Sequence, residues 1–505
     1  MNRQGSLNRI KKRETPWGIV VIGGGATGVG CALDAATRGL DVLLLEQSDF
    51  GKGTSSRSTK LIHGGVRYLE QGNISLVREA LRESGMLLKN APHLVKKLAF
   101  IVPCYSRWQK FYYGLGLKIY DLLAGKYSLG KSRILSRSET LERLPGISHT
   151  GLHGGVLYFD AQFDDMRLLI GLAATAHNHG ACLLNYAKVT ALKKDKSGRI
   201  NGVDFVDAET SEIVSVNTRV VINATGPFCD AVRKLADHEH EKLLELSQGT
   251  HLVFDKKFLP ADSALMIPKT SDGRVLFAIP WQDHLLVGTT DTPISNADLE
   301  PKPLDAEIDF ILETVGKYLS KQPTRNDILS AFTGIRPLVR SSKSKNTARL
   351  SRGHTVEIDT SGLVTITGGK WTTYRRMAKD AVDQAVSSAD LPSTECRTQD
   401  QKIASDKQNA IADLIANDPK MSERLHPELP YTKADVVWAV RNEMAMTVED
   451  VLARRTRALF LNAHAAIQIA PAVAEIMIGE LGRENAWIAE QLASFAAVAG
   501  SYLQK

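Results

Sequence analysis

The sequence predicts an α/β protein with a helical C-terminal region, and three observations carry that expectation. An apolar run, Ile19-Val20-Val21-Ile22, enters a glycine turn that opens a helix and leads to a second apolar run, Val42–Leu45. Between about 248 and 340, β-rich segments at 275–279 and 285–288 alternate with one helical stretch near 305–320. Beyond the polar linker 391–406 the apolar spacing is helical to the end.

The first run shows no alternation of polar and apolar residues, as expected of a parallel strand covered on both faces. The helix after it spans about 26–38, with Gly39 as its stop, and the second strand ends at Glu46. Helices are expected at 72–91 and 108–124. Between Asp164 and His179, Met166, Leu169, Ile170, Ala173 and Ala174 share one helical face. Strands follow over 181–222, with a turn at Asp195-Lys196-Ser197-Gly198, and the last closes on Ala224-Thr225-Gly226. A late strand, 363–367, meets Gly368-Gly369-Lys370 and a helix over 371–387. The Ala- and Ile-rich stretch 460–481 is interrupted by Asn462, His464, Gln468 and Glu475, so it reads as a buried helix pair and not a membrane span.

At 505 residues the chain has room for two to four domains. With 43% hydrophobic and 24% charged residues it is neither a disordered tail nor a coiled coil. Of the net charge of +7, much sits in residues 1–16, where Arg3, Arg9, Lys11, Lys12 and Arg13 face only Glu14. That segment lacks the apolar core of a signal peptide and reads as a disordered basic arm. Basic character suits nucleic acid, anionic lipid or an anionic substrate. No nucleic-acid-binding module is recognisable. Five cysteines, an odd number with no C-x-x-C, argue against a disulfide framework or a zinc site and for a reducing cytoplasm. The pairs His149/His153, His177/His179 and His238/His240 lack companion ligands at metal spacing and read as surface or turn residues.

The glycine turn matches G-x-G-x-x-G at Gly23, Gly25 and Gly28, with Ala26 and Thr27 opening the helix. The first glycine permits the tight turn, the second lets a pyrophosphate approach, and the third packs helix on strand. The helix N-terminus offers N–H groups to phosphate. Glu46, 18 residues beyond Gly28, stands where a carboxylate accepts ribose hydroxyls. This unit binds a dinucleotide without deciding between NAD and FAD. The turns Ala224-Thr225-Gly226 and Gly368-Gly369-Lys370, each an ordinary strand–helix junction when read singly, together favour a flavin. The loop 53–68 is rich in small hydroxyl and glycine residues yet holds His63, Arg67 and Tyr68, which suits contact with a phosphate and an aromatic ring.

This loop from Thr54 to Glu70, with Gly334-Ile335-Arg336-Pro337-Leu338 and 368–375 (Gly-Gly-Lys-Trp-Thr-Thr-Tyr-Arg), resembles the FAD-dependent, membrane-associated glycerol-3-phosphate dehydrogenases. The segment 447–457 resembles the helical tail of that family, so the similarity runs from about 17 to 465. It implies a discontinuous Rossmann-like FAD-binding domain of the D-amino-acid-oxidase-like type, a mixed-sheet substrate domain and an all-α C-terminal domain. The expected boundaries are 17–95, 150–247 and 350–388 for the first, 96–149 and 248–349 for the second, and 407–505 for the third. The implied reaction oxidises sn-glycerol 3-phosphate to dihydroxyacetone phosphate, with electrons passing through FAD to a membrane quinone. An oxidase using oxygen, or a relative acting on another substrate, is the alternative.

Cofactor contacts are expected from the glycine turn and Glu46, from Thr54, Ser55, Ser56, Ser58, Thr59, Lys60, Leu61, His63 and Gly64, and from Ala224, Thr225, Gly226, Gly369, Lys370, Thr372 and Thr373. The resemblance places the substrate against Arg67, Tyr68, His251, Arg336, Arg352 and Lys370. Arginines can grip a phosphomonoester of charge about −1.5 to −2 bidentately. His63 and His251 are both candidates for the general base, and either, His63 above all, reads alternatively as a hydrogen-bonding core or cofactor histidine. From Lys96 to Arg133 basic and aromatic residues interleave, and Trp108, Phe111, Tyr112, Leu115, Ile119 and Leu122 fall on one helix face. Such a helix suits an anionic lipid surface, with a core-facing helix as the alternative. The expected place is peripheral, on the cytoplasmic face of an inner membrane, with homo-oligomer formation left open.

Overall fold

The computed structural model describes residues 1–66, 69, 72–340, 353–405 and 407–504. Two sheets organise it. The first has the spatial strand order His354–Ile358, Val364–Gly368, Ile213–Asn223, Trp17–Ile22, Val42–Leu45, Cys182–Leu184. The glycine-turn strand lies at its centre, parallel to neighbours on both sides, with Ile19 opposite Val220 and Val42. Its side chains alternate between two cores, which explains the unbroken apolar run. Ile19 and Val21 pack under the helices Ala26–Thr37, Asp165–Asn178 and Tyr374–Ser388. Val20 and Ile22 pack against the antiparallel strands Ala187–Lys194 and Ile200–Asp207 and against an N-terminal helix.

That N-terminal helix corrects the expectation of a disordered arm. Residues Arg3–Lys11 are helical, capped by Asn2, whose Oδ1 accepts from Gly5 N–H at 2.7 Å. Leu7 and Ile10, three apart and so on one face, bury against the sheet. The basic side chains are matched by acids from elsewhere: Arg3 to Asp207, Arg13 to Asp41 and Lys11 to Glu212. Charge density alone suggested disorder; the acids that neutralise it lie up to 204 residues away in the chain.

The second sheet has ten strands and is antiparallel except where Ala264–Ile267 runs beside Val95–Cys104. Two long ladders dominate it. Leu244–Asp255 pairs with Ser330–Val339 along its length, and Val95–Cys104 pairs with Gly154–Phe163. The second ladder shifts an expected boundary, because Gly154–Phe163, placed with the cofactor domain by sequence, belongs to this sheet. The serine loop delivers Leu61–Ile62 to the same sheet, against Gln162 and Ala161.

The helical region beyond Lys407 locks onto both sheets. A π-helical turn, Asp450–Arg455, buries Arg454 and Arg455 against Asp49, while Arg457 donates to the carbonyl of Ser56 at 2.7 Å. Removing one partner of such a buried pair costs about 3–5 kcal/mol. At the far end Tyr502 offers its carbonyl to Ala331 N–H at 2.9 Å.

Candidate active site

A cleft of about 580 Å³ opens at the C-terminal ends of the parallel strands, where ligands of open α/β sheets sit. Gly23, Gly25, Ala26 and Thr27 line it, opposite Glu46, Thr54 and Ser55. Gly23 has φ +109°, and a Cβ there would lie 2.7 Å from the Ala224 carbonyl oxygen. Gly28 does not face the cleft; a Cβ on it would sit 1.8 Å from the Gly23 carbonyl oxygen, so it sets the approach of helix to turn. Glu46 accepts from Gly24 N–H at 2.6 Å and Ser48 N–H at 2.9 Å, and burial raises its pKa against those two bonds.

The serine loop is pinned along the cleft. Ser55 Oγ accepts from Ala26 N–H at 2.9 Å, its carbonyl accepts from Trp371 Nε1 at 2.8 Å, and Thr54 Oγ1 donates to the Ile335 carbonyl at 2.6 Å. Ala224, Thr225, Gly226, Gly369 and Lys370 complete the far wall. The segment Ala187–Thr190 and Lys52 also line the cleft; nothing in their sequence signals this, because a hairpin strand and a loop lysine carry no motif.

Past Trp371 the cleft continues into a chamber of about 210 Å³, lined by Thr54, Ser58, Thr59, Leu61, His63, His251, Arg336, Lys370 and Thr372. The 244–339 ladder explains the meeting of His251 and Arg336. Ser247 is opposite Arg336, Gly249 opposite Gly334, and His251 opposite Phe332, so these residues share one face. The two glycines between them keep that face open: a Cβ on Gly249 would lie 2.2 Å from Arg336 Nη2.

His251 is 2% exposed, stacks on Phe332 with ring centroids 4.9 Å apart, and has Nε2 2.9 Å from Thr59 Oγ1. Burial first, then the charges of Lys60 and Arg336, hold its pKa well below the ordinary imidazole value, so the ring is neutral. Arg336 is aimed by the carbonyls of Gln248 and Thr290 at 3.2 and 3.0 Å and by Thr289 Oγ1 at 3.1 Å, with Asp291 3.5 Å away.

Thr59, Leu61, His63 and Arg336 are shared with a neighbouring cavity of about 160 Å³. There the structure adds two residues that sequence reasoning missed, Arg274 and Asp160. Arg274 pairs with Asp272 at 2.9 Å, and its buried Nη1 makes no hydrogen bond among the described residues. A lone arginine in an Asp-Gly-Arg turn and a single acid inside an apolar strand were the only signals available.

Several expected contacts fall elsewhere. Lys60 is a correction: φ +62° turns it back into the protein, where Nζ bonds Asp165 at 2.6 Å and the Ser56 carbonyl at 2.8 Å. It lies 5.1–5.4 Å from the centroids of Phe332, Trp281 and Phe460, and burial brings its pKa down to about 7. Ser56, Gly64 and Thr373 line none of these cavities; Ser56 Oγ donates to the Gly53 carbonyl, Gly64 N–H to Tyr120 Oη, and Thr373 Oγ1 to the Lys370 carbonyl. Arg67, Tyr68 and Arg352 lie outside the described residues.

Comparison with known proteins agrees along the whole chain. Residues 18–375 match the model of the FAD dependent oxidoreductase family, and residues 405–488 match the C-terminal domain of alpha-glycerophosphate oxidase. The probable mitochondrial glycerol-3-phosphate dehydrogenase of Caenorhabditis elegans is 41% identical over 96% of this chain and 73% of its own. The mitochondrial enzyme of Homo sapiens is 42% identical over 93% of this chain and 70% of its own. The X-ray structure of glycerol-3-phosphate dehydrogenase from Bacillus halodurans complexed with FAD superposes with a TM-score of 0.79 at 27% identity, covering 99% of this chain and 98% of that one. The fold is thus that of these flavoproteins, and the chain belongs to the FAD-dependent glycerol-3-phosphate dehydrogenase family.

Proposed function

We propose that this protein oxidises sn-glycerol 3-phosphate to dihydroxyacetone phosphate with FAD and passes the electrons to a membrane quinone. The observation that carries the reading is the convergence of Arg336 and Lys370 with neutral His251 in one chamber at the inner end of a dinucleotide cleft, with Arg274 in the adjoining cavity that shares Arg336. The cleft fits FAD: Glu46 is poised for ribose hydroxyls, and Gly25, whose missing Cβ would meet only Ser55 Oγ at 3.1 Å, leaves the backbone open where a pyrophosphate must approach. When bound, the flavin accepts the hydride from the carbinol carbon.

The chain's own groups do the rest. Arg336 cannot swing away, because three oxygen acceptors fix its guanidinium; with Arg274 and Lys370 it neutralises the phosphate and sets the distance from phosphate to carbinol. His251, neutral because buried, has the lone pair a base needs, and Nε2, which Thr59 Oγ1 meets at 2.9 Å, is the atom that takes the hydroxyl proton once the substrate hydroxyl replaces that contact. His63, at the junction of both chambers, serves the cofactor side.

The acceptor reading rests on the helix Arg107–Ala124. Leu117 and Tyr120 are buried, while Trp108 is 69% and Leu122 80% exposed, with Phe111, Tyr112, Leu115 and Ile119 beside them. This apolar stripe, flanked by Lys110 and Lys118, suits the headgroup layer of an anionic membrane, where a lipid-soluble quinone resides. Among the described residues no helix is long and apolar enough to cross a membrane. Oxygen is the second reading, since the C-terminal match is to an oxidase domain. Anaerobic addition of sn-glycerol 3-phosphate should bleach the flavin absorbance of the purified protein, glycerol should not, and a quinone analogue should restore the colour without oxygen. Bleaching by glycerol as fast as by the phosphate ester overturns the phosphate site.

A further inference from the structure

Asp160 sits in Gly154–Phe163, 3% exposed, in the wall of the 160 Å³ cavity. Tyr120 Oη donates to its two oxygens at 2.9 and 3.1 Å, and Gly64 N–H adds a long bond at 3.4 Å. Among the described residues no lysine, arginine or histidine pairs with it, and burial raises its carboxyl to about 7. A lone buried acid without a cation is costly to keep, and no step of substrate oxidation uses it. Around the cavity the other titratable groups are Tyr158 on its own strand, His63 from the serine loop, and Arg274, Asp291 and Arg336 across the space.

Apart from Gly65 and the threonines Thr59, Thr289 and Thr290, the remaining wall is apolar: Leu61, Val66, the Tyr158 ring, Met266, Val275 and Phe277. These side chains belong to the same hydrophobic cluster as Leu117 and Tyr120, the buried face of the helix whose other face carries the exposed aromatic stripe. A cavity of about 150 Å³ holds a benzene ring, so this one is of a size for a six-membered quinone ring. We propose that this cavity, once the phosphorylated product has left it, receives the head ring of a lipid quinone and that Asp160, positioned by Tyr120, gives it the proton that its reduction consumes.

The balance is simple. Substrate oxidation takes a hydride from carbon and releases one proton from the carbinol oxygen. Reduction of the quinone to quinol takes two electrons and two protons: one leaves the reduced cofactor with the electron pair, the other comes from Asp160. The carboxylate left behind takes up one proton from water while His251 gives to water the one it took from the substrate, so the complete cycle is proton-neutral.

The proposal rests on the quinone reading above, and the test separates the two. The holoenzyme is bleached anaerobically with sn-glycerol 3-phosphate and then mixed with either a short-chain benzoquinone, which must be protonated, or ferricyanide, which need not be. In Asp160→Asn the benzoquinone rate should fall on the order of 10²-fold relative to the ferricyanide rate of the same variant. Tyr120→Phe should give a smaller fall in the same direction. Infrared difference spectra of the holoenzyme across neutral pH should show a carboxylic-acid carbonyl band in the wild type that is missing from Asp160→Asn. Equal slowing toward both acceptors, no slowing toward either, or the band persisting in the variant overturns the proposal. Bleached wild type that benzoquinone cannot reoxidise overturns instead the quinone reading on which it stands.

Discussion

The dinucleotide cleft and the inner chambers are built on opposite plans. The cleft is made largely of backbone: a glycine turn, a helix N-terminus and a loop pinned through main-chain N–H and carbonyl groups, with the largest continuous share contributed by residues 22–55. The chambers are made of side chains from strands far apart in sequence, brought together by the register of two antiparallel ladders. In the first region shape is the function, and one added carbon is ruinous. In the second, charge is the function, and shape is negotiable within a rotamer. The contrast predicts different kinds of failure.

The largest effect is expected of Gly28→Val. A Cβ at that position meets the Gly23 carbonyl oxygen at 1.8 Å, backbone against backbone with nothing flexible to yield. The loss should exceed ~4 kcal/mol, and the protein should purify without flavin if it folds at all, as absorbance at equal protein concentration would show. Retained flavin would break the comparison at its first term.

Arg336→Met should do the reverse, leaving flavin content intact while kcat/KM for sn-glycerol 3-phosphate drops about 10³-fold, or about 4 kcal/mol. Arg274→Gln, at the outer edge of the same charge cluster, should raise KM about tenfold with kcat nearly kept, since its contribution is to binding. An unchanged KM in the Arg274 variant would mean that the phosphate does not reach that arginine.

The smallest effect is one of stability. Because the carboxyl of Asp160 is raised to about 7 from a normal value near 4, its favourable contribution is full below about pH 4 and is lost as pH rises through 7. An amide does not titrate, so Tm of Asp160→Asn minus that of the wild type should be larger at pH 8 than at pH 5. A pH-independent difference would show that the acid is ionised when buried.

The same contrast explains what the sequence makes legible. Gly23, Gly25, Glu46 and Ala224-Thr225-Gly226 are readable because a local pattern of backbone permission and spacing is written in adjacent residues. Asp160 and Arg274 are not, because their meeting with His63 and Arg336 depends on ladder register, a long-range property. Lys60 misleads for a finer reason: in a serine-rich loop its neighbours Thr59 and Leu61 face the chamber, and one residue at positive φ reverses its side chain. The N-terminal helix misleads because Leu7 and Ile10 are too few to announce a buried face, and the partners of its charges come from Asp41, Asp207 and Glu212. The aromatic helix was open to two readings by periodicity; the exposure of Trp108 and Leu122 removes the core-facing one.

The bond from Arg457 to the Ser56 carbonyl spans 401 residues of chain, and it gives the protein a history as well as a shape. At about 5–20 residues per second of synthesis, the loop that lies along the cleft is made roughly 20–80 s before the guanidinium that fixes it. Until then the Ser56 carbonyl has, among the described residues, only Lys60 Nζ as its donor. A nascent chain halted before residue 457 should therefore hold the nucleotide fingerprint already folded yet grip the coenzyme poorly, so the last part translated decides when the first part becomes useful.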